Sequence, residues 1–301
     1  MRICSLLPSA TEILFALGLG DAVVAVSHEC DYPPEARSKP VAIRTSVDQA
    51  RQTSGQIDDA VRQALAGRTR LYALDAGLLQ RVRPDVVVTQ ELCPVCAMGA
   101  ADVREALAAL DPPPRVISLH PHTLEDVFQE IRILGHATNR SREAWQLVSA
   151  GATRLERVRS LVDGAARPGV FCLEWLDPLM ATGHWVPEMV GLAGGRELLG
   201  RAGQPSAVVT AEAISAAAPE VLVLMPCGFP ISRTREELPV LAAQPWWQGL
   251  PAVRTGRVHL VDGPAYFNRS GPRLVDGVEL LAGLLHPGRC GELVPLGAAE
   301  L

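Results

Sequence analysis

The segment from Thr123 to Asp163 reads TLEDVFQEIRILGHATNRSREAWQLVSAGATRLERVRSLVD, and its pattern decides how the rest of the chain is interpreted. Apolar residues recur at the three- and four-residue spacing of a helix. They are Leu124, Val127, Phe128, Ile131 and Leu134, and then Trp145, Val148, Ala152, Leu155, Val158 and Val162. We expect Thr123 to cap the first piece, a break near Gly135, and a second piece about 35 Å long. Such a helix is a spacer that joins two halves and leaves a cleft between them.

Short apolar strands and helices alternate on both sides of this segment, which is the pattern of α/β folds. The β-branched run from Asp85 to Thr89, for example, is typical of a parallel strand buried on both faces. We therefore predict two α/β lobes with mainly parallel sheets, joined by a long backbone helix. The predicted division is residues 1–122 for the N-terminal lobe, 123–166 for the linking helix and 167–301 for the C-terminal lobe.

Several local signals predict where helices begin. Ser9 and Glu12 have the spacing of a capping box, and Ser54 and Thr210 precede helical patterns as N-caps would. Pro187 is expected in the first turn of a helix.

Composition excludes several classes of protein. Across 301 residues the net charge is −5 and no basic stripe occurs, which argues against nucleic acid as a partner. Lys39 is the only lysine, so Schiff-base and P-loop chemistry are excluded elsewhere. No apolar run approaches the roughly 20 residues of a membrane span.

The cysteines and the N-terminus bear on location. The seven cysteines are odd in number and scattered, which suits a reducing compartment better than a disulfide framework. No secretory signal precedes the first strand. The sequence as written predicts a cytoplasmic protein, or a periplasmic one if the true start lies upstream.

Unusual side chains follow the predicted strands, at the ends where open parallel sheets bind their ligands. We predict a ligand site in the cleft built from His28, Cys30, Tyr32, Gln90, Glu174, Trp175, His184, Trp185, Cys227, Tyr266, Phe267, Asn268 and Arg269. His120 and His122 stand just before the spacer helix and are expected to help cap its start.

Several short motifs resemble one known family, the cobalamin and iron-siderophore periplasmic binding proteins of the helical-backbone class, class III. They are Leu7–Leu14 (LPSATEIL), Gly18–Asp21, Asp31–Pro34 (DYPP), Arg83–Val88 (RPDVVV), Ala193–Gly195, Pro219–Val223 and Gly271–Leu274. The resemblance spans nearly the whole chain and is closest to a cytosolic-looking cobalamin-binding subgroup. It implies a corrinoid or related metal-chelate ligand and, if the protein is exported, an ABC permease as partner.

That resemblance also assigns roles to some residues. Tyr266 and Phe267 stand where cleft aromatics are expected, and Gln90 stands where an aromatic often does. Cys30, the Cys93/Cys96 pair and Cys227 depart from the usual cobalamin-cleft pattern.

The cysteines carry a second hypothesis, a cytosolic metal or iron–sulfur binding protein. Cys93 and Cys96 have the spacing of two ligands to one zinc ion or cluster, and Cys30, Cys227 and His28 could complete the set. The alternative is a capped loop that contains small, half-buried thiols.

The aromatic and histidine residues also have two interpretations each. Trp175 and Trp185 are expected to form a stacking surface for a flat macrocycle, whereas Trp145 is expected in the core. His184 could be an axial ligand to the cobalt of a corrinoid, or a histidine that hydrogen-bonds its own loop.

An enzyme that has reused the fold is the third hypothesis. Glu174 could accept hydrogen bonds from corrin amides or neutralise Arg269, and Asp177 is the near carboxylate with which it could act as a catalytic acid. No Ser-His-Asp signature, Gly-rich phosphate loop or HExxH motif occurs. An enzyme is therefore less expected than a binding protein.

Overall fold

The chain forms two compact units in the computed structural model, which describes residues 1–47, 51–67, 71–90, 100–108, 110–295, 297 and 299–300. The first unit comprises Met1–Gln52, Asp59–Pro121 and Glu125–Val148. The second comprises Thr53–Asp58, His122–Leu124 and Ser149–Leu301. The predicted boundaries at residues 122/123 and 166/167 stay predictions.

The sheet of the first unit is mainly parallel, as predicted. Within the described residues its strands are β1 (Ile3–Ser5), β2 (Val23–Ser27), β3 (Val41–Thr45), β4 (Tyr72–Leu74), β5 (Val86–Gln90) and β6 (Arg115–Leu119). They are ordered β4-β3-β2-β1-β5-β6, and β4 pairs antiparallel with β3 while the other neighbours are parallel. The central strand β1 is wholly buried, which places the core of this unit on both faces of the sheet.

Where the structure describes the chain, six α-helices accompany this sheet along the sequence. They are α1 (Pro8–Ala16), α2 (Ser54–Ala66), α3 (Ala76–Val82), α4 (Ala100–Leu107), α5 (Leu124–Ala137) and α6 (Ser141–Val162). Helix α6, at 22 residues, is about 33 Å long at 1.5 Å per residue. The long helix expected between the two halves of the sequence is therefore present.

The second unit has a mixed sheet built around three parallel strands. Its described strands are β7 (Gly169–Leu176), β8 (Leu179–Ala181), β9 (Arg196–Glu197), β10 (Ala207–Val208), β11 (Val221–Leu224), β12 (Val258–Val261) and β13 (Ala299–Glu300). The order is β10-β8-β7-β11-β12-β13, with β9 parallel to β7 at its start. Strands β7, β11 and β12 are parallel to one another, so their carboxyl ends share one edge.

The helices of the second unit surround this sheet. They are α7 (Val186–Leu192), α8 (Ala211–Ala217), α9 (Ile231–Ala242), α10 (Pro251–Arg254), α11 (Gly263–Tyr266), α12 (Leu274–Leu285) and α13 (Pro287–Cys290). Nine of the 12 residues of α12 are buried, so this helix lies in the core of the second unit.

Two predicted helix caps are wrong, for different reasons. The Ser9/Glu12 capping box does not form, because α1 begins at Pro8, two residues earlier than a Ser9 cap would allow, and buries both side chains. Pro8 brings no backbone N–H that would need a partner. For α2, Thr53 rather than Ser54 is the cap: the Thr53 N–H donates to the Gln56 amide oxygen at 3.0 Å, and the Gln56 N–H donates to Thr53 Oγ1 at 3.3 Å. This is a reciprocal capping box.

Two other predicted helix starts are confirmed. Thr210 Oγ1 accepts a hydrogen bond of 3.2 Å from the backbone of Ala213 at the start of α8. Pro187 lies in the first turn of α7.

The break in the spacer lies at residues 138–140, not near Gly135 as predicted. Asn139 takes a left-handed conformation (φ 59°), which ends α5, and α6 begins at Ser141. Gly135 lies inside α5 and does not end the helix.

Trp145 is not a core residue as predicted: its side chain is 68% exposed. Ala144 and Val148, four residues apart on one face of α6, are the buried positions. Trp145 follows Ala144 and is therefore rotated by about 100° away from that face.

Helices long and apolar enough to cross a bilayer do not occur in the part of the chain that the structure describes.

Candidate ligand-binding site

In the first unit, predicted site residues collect at the carboxyl edge of the sheet. His28 and Tyr32 follow β2, and Gln90 is the last residue of β5. Tyr32 is 44% exposed, whereas Gln90 is only 8% exposed. The structure thus brings Tyr32 and His28 to this edge as accessible side chains and leaves Gln90 largely covered.

His28 is held by its own surroundings. Its Nδ1 lies 3.2 Å from the Ile43 carbonyl oxygen, and its Nε2 lies 3.7 Å from the Glu29 carboxylate. These two contacts fix the orientation of the His28 ring.

Cys30 is an internal side chain and not the ligand-facing thiol that the sequence predicted. It is 4% exposed, and its Sγ lies 3.1 Å from Thr11 Oγ1. Burial raises the pKa of the neighbouring Cys4 to about 12, and the electrostatic effect of Cys30 makes a smaller contribution to that rise. Both thiols therefore behave as small core residues.

The metal site predicted for the cysteines is not supported by the described residues. Cys93 and Cys96 lie outside the described residues. Among the residues that are described, no three His, Cys, Asp or Glu side chains converge as metal ligands would. Cys30, Cys227 and His28 therefore form no such group by themselves, and zinc or an iron–sulfur cluster remains a prediction.

Glu130 is a feature of the first unit that sequence reasoning missed. Its Oε1 accepts a 2.5 Å hydrogen bond from the His120 N–H, just beyond β6. Its Oε2 is buried without a partner among the described residues, and burial raises the pKa of this carboxyl to about 8. The signal was present, because Glu130 stands between Val127 and Leu134 on the apolar face of α5.

In the second unit, Glu174 and Trp175 belong to β7 itself rather than to the loop that was expected to follow it. The Trp175 ring is half-buried and lies 5.2 Å from the ring of Phe229. Phe229 is 1% exposed, and the Arg233 guanidinium lies 4.6 Å from its ring centre. The buried ring of Phe229 therefore packs against Trp175 and restricts its movement, while part of the Trp175 surface stays accessible.

Glu174 is engaged inside the second unit. Its Oε2 accepts a 2.6 Å hydrogen bond from the Ser206 hydroxyl. Burial raises the pKa of Glu174, while hydrogen bonds from Ser206 and the Gly183 backbone oppose that rise. The Ser206 hydrogen bond therefore fixes the orientation of this carboxyl group.

Trp185 and Phe267 are corrections to the predicted aromatic surface, because both are core residues. Trp185 is 4% and Phe267 1% exposed. The indole N–H of Trp185 donates to the Phe267 carbonyl oxygen at 2.8 Å. This hydrogen bond gives the indole N–H and the carbonyl oxygen a partner inside the unit, and it supports the loop after β12.

Loop residues after β11 and β12 complete this edge. The Cys227 N–H donates to the Glu174 carbonyl oxygen at 3.0 Å, which places this half-buried thiol beside β7. Asn268 Nδ2 donates to the Met225 carbonyl oxygen at 3.2 Å. Tyr266, the last residue of α11, and Arg269, in the loop after it, are also half-buried. Seven predicted site residues of the second unit therefore keep part of their surface accessible: Glu174, Trp175, His184, Cys227, Tyr266, Asn268 and Arg269.

His184 has an unusual backbone. It takes a left-handed conformation (φ 51°), which is uncommon for a residue other than glycine. Its N–H donates to the Gln204 carbonyl oxygen at 2.7 Å, and its carbonyl oxygen accepts from the Gly203 N–H at 2.9 Å. Burial lowers the pKa of His184, and the neighbouring His122 lowers it further, so both effects favour the neutral ring.

A cavity of about 600 Å³ opens elsewhere on the second unit. Its lining includes Arg159, Asp163, Arg167, Glu188 and Gly194. Arg167 donates to the Gly195 carbonyl oxygen, next to the strand β9 that pairs with the start of β7. This cavity lies at the amino end of β7, away from the predicted site residues, so it does not supply the predicted site.

Two α/β units with parallel central strands, side chains collected at their carboxyl ends and a long helix along the chain define the helical-backbone class of ligand-binding proteins. The sequence model of the periplasmic binding protein family matches residues 3–265. The chain belongs to the periplasmic binding protein family.

Curated relatives agree with this assignment. An uncharacterised ABC transporter substrate-binding lipoprotein of Bacillus subtilis is 27% identical over 95% of this chain and 80% of its own length. The vitamin B12-binding protein of Vibrio cholerae is 25% identical over 92% of this chain and 86% of its own.

Solved structures confirm the fold. A possible iron-binding protein of Staphylococcus epidermidis has a TM-score of 0.71 at 21% identity, covering 95% of this chain and 98% of that one. A heme-binding protein of Pseudomonas aeruginosa has a TM-score of 0.71 at 22% identity, covering 96% and 93%. The V. cholerae B12-binding protein has a TM-score of 0.65 at 23% identity, covering 95% and 96%.

Proposed function

We propose that this protein is the substrate-binding component of an ABC importer and that its cargo is a flat metal macrocycle, a corrinoid of the cobalamin type first. Relatives named for vitamin B12 support the corrinoid, and the heme-binding protein of similar fold supports the wider class of metal tetrapyrroles. The partner would be an ABC permease.

The proposal depends on one observation, the packing of the Trp175 ring on Phe229. A half-buried indole at the carboxyl end of β7, packed on Phe229, is a rigid apolar surface that costs little conformational entropy when a flat ligand stacks on it. Polar groups next to such a surface set orientation and specificity. Glu174, bonded to Ser206, and the half-buried Arg269 are suited to corrin amides and acidic side chains.

The proposal is tested by titrating the full-length protein with cyanocobalamin, dicyanocobinamide and hemin, following absorbance and heat of binding. A corrinoid should bind at micromolar concentration or below. Trp175→Ala should weaken that binding at least about tenfold, or about 1.4 kcal/mol. Trp246→Ala is the matched control, because Trp246 is half-buried in the same unit and packs against Trp247, with 5.8 Å between the ring centres.

Three outcomes separate the alternatives. Binding of hemin without any corrinoid would change the cargo to heme. Equal loss in the Trp175 and Trp246 variants would remove Trp175 from the site. Failure of all three ligands to bind at 100 μM would overturn the proposal.

A further inference from the structure

Two histidine rings meet in the second unit, where the chain enters α5 and where it enters α7. The ring centres of His122 and His184 are 5.7 Å apart, with an angle of 43° between the planes. His122 is exposed and His184 is half-buried. The sequence gives no sign of this pair, because 61 other residues separate the two histidines.

Both backbones that carry these rings are fixed. A Cβ added to Gly183 would lie 2.2 Å from the Gln204 carbonyl oxygen, so the His184 loop is pressed closely against that segment. On the other side, the Leu124 N–H donates to Glu188 Oε2 at 2.8 Å, which holds the start of α5 to α7. The distance between the rings is therefore a property of the packed unit, as a preorganised site requires.

His184 also has an unmet bonding requirement. Its Nδ1 is buried and has no hydrogen-bond partner among the described residues. The rings of His122 and Trp185 lie against the His184 ring, Trp185 at 5.6 Å between centres. A buried ring nitrogen without a partner costs stability, and a left-handed backbone at a histidine adds to that cost. Such a cost is commonly tolerated at functional sites.

We propose that His122 and His184 form a two-imidazole site for a divalent transition-metal ion of the Ni²⁺ or Cu²⁺ type, whose other positions are filled by water or by a small chelator. With metal–nitrogen bonds of about 2.1 Å and about 1.2 Å from each nitrogen to its ring centre, two imidazoles on one ion have centres about 4.6 to 6.5 Å apart. The 5.7 Å spacing falls in this range, so small ring rotations would suffice. Imidazole nitrogen suits these ions.

The inference does not depend on the identity of the macrocycle, since bare ions test it.

The test uses full-length protein that carries Cys93→Ser and Cys96→Ser, so that their thiols cannot bind the ion. Calorimetry with NiCl₂, and separately with Ni²⁺ held by one iminodiacetate, should give one equivalent bound in a buffer without chelators. His122→Ala and His184→Asn should each weaken binding at least about tenfold, while affinities should rise from Co²⁺ through Ni²⁺ to Cu²⁺. Asn at position 184 keeps the left-handed backbone accessible.

His136→Ala is the matched control, because His136 is an exposed histidine on α5 that lies outside the pair. The Cu²⁺ complex should show electron paramagnetic coupling to two nitrogens, which a structural role alone would not produce. Tighter binding of the iminodiacetate complex than of the aqua ion would identify a chelate as the natural form. Binding that is absent for both probes, or unchanged in both histidine variants, would overturn the inference.

Discussion

Gly135 of α5 and Ala144 of α6 are in contact across the helical hairpin of the first unit. A Cβ built on Gly135 would lie 2.4 Å from the Ala144 Cβ and 3.0 Å from the Arg140 carbonyl oxygen. The two helices approach this closely because neither residue carries a larger side chain at the crossing. The glycine that resembled a helix break therefore serves as a packing position.

We predict that Gly135→Ala destabilises the protein by about 1–3 kcal/mol, the usual cost of overpacking. In a helix without this contact, the same change would stabilise by about 1 kcal/mol. Urea unfolding measures the difference. Gly288→Ala is the control, since Gly288 lies in the short helix α13 with nothing within 4 Å of the added carbon. Improved stability of Gly135→Ala would contradict the packing argument.

Arg154 of α6 is predicted to contribute more than an ordinary surface arginine. Its guanidinium bonds Glu279 through two nitrogens, at 3.0 and 2.5 Å, and Asp276 at 2.5 Å. Such a partly exposed network is worth roughly 1 kcal/mol, and Arg154→Ala should lose about that amount in low salt and less in 1 M NaCl.

Arg159 on the same helix is the matched control for Arg154. It pairs with Glu156 at 3.0 Å, and both side chains are 65% exposed. Arg159→Ala should change stability by less than about 0.5 kcal/mol. Equal losses in the two variants, measured by urea unfolding, would show that the bidentate network adds nothing.

Because of His259, on β12, we predict that the protein loses stability as the pH is lowered. His259 is 6% exposed, neither ring nitrogen has a partner among the described residues, and burial lowers its pKa from 6.5 to about 4. Between pH 6.5 and 4 the unfolded chain binds the proton and the native protein does not. Stability from this group is therefore full above pH 6.5 and falls by up to about 3 kcal/mol toward pH 4.

His259→Leu should flatten that decline while keeping stability at pH 7.5 equal or higher, because two unpaired nitrogens are removed. Urea unfolding at pH 7.5, 5.5 and 4.5 gives the slope. If wild type and variant lose stability in parallel, His259 is not the group that titrates.

Because of Glu130, we predict the opposite dependence of stability on pH. The pKa of Glu130 is raised from 4.5 to about 8, so between these values the native protein holds a proton that the unfolded chain releases. Stability from this group is full below pH 4.5 and is lost as the pH rises toward 8. Glu130→Gln keeps an oxygen for the His120 N–H and carries no charge, so it should be more stable than wild type at pH 8 and similar at pH 5.

Glu125→Gln, on an exposed position of α5, is the comparison for this series. It removes a surface pair with Arg132 and should change stability by less than about 0.5 kcal/mol. A Glu130→Gln protein that is less stable than wild type at pH 8 would mean that the carboxylate is stabilised there rather than penalised.

The fold was predictable because apolar periodicity is a local signal. The β-branched run that became β5 and the periodic segments that became α5 and α6 lie within a few residues of their predicted positions. Even the errors in α1 and in the break of the spacer moved boundaries and left the elements intact.

The site was predictable only in outline, since burial depends on contacts between distant segments. Glu174 and Trp175 were placed at the right edge, but Trp185 and Phe267 looked equally suited to a ligand until their mutual hydrogen bond placed them in the core. The contact of His122 with His184 depends on the hydrogen bond between Leu124 and Glu188, which are distant in sequence, and no short-range pattern carries that information.

The exposed indole of Trp145 makes the first unit separately observable. The other four tryptophans all belong to the second unit: Trp175 and Trp246 are half-buried, and Trp185 and Trp247 are buried. Emission at long wavelength that iodide quenches should therefore come from Trp145, while the shielded emission reports on the second unit. A single natural chain thus carries two optical probes, and unfolding of each unit can be followed without attaching a dye.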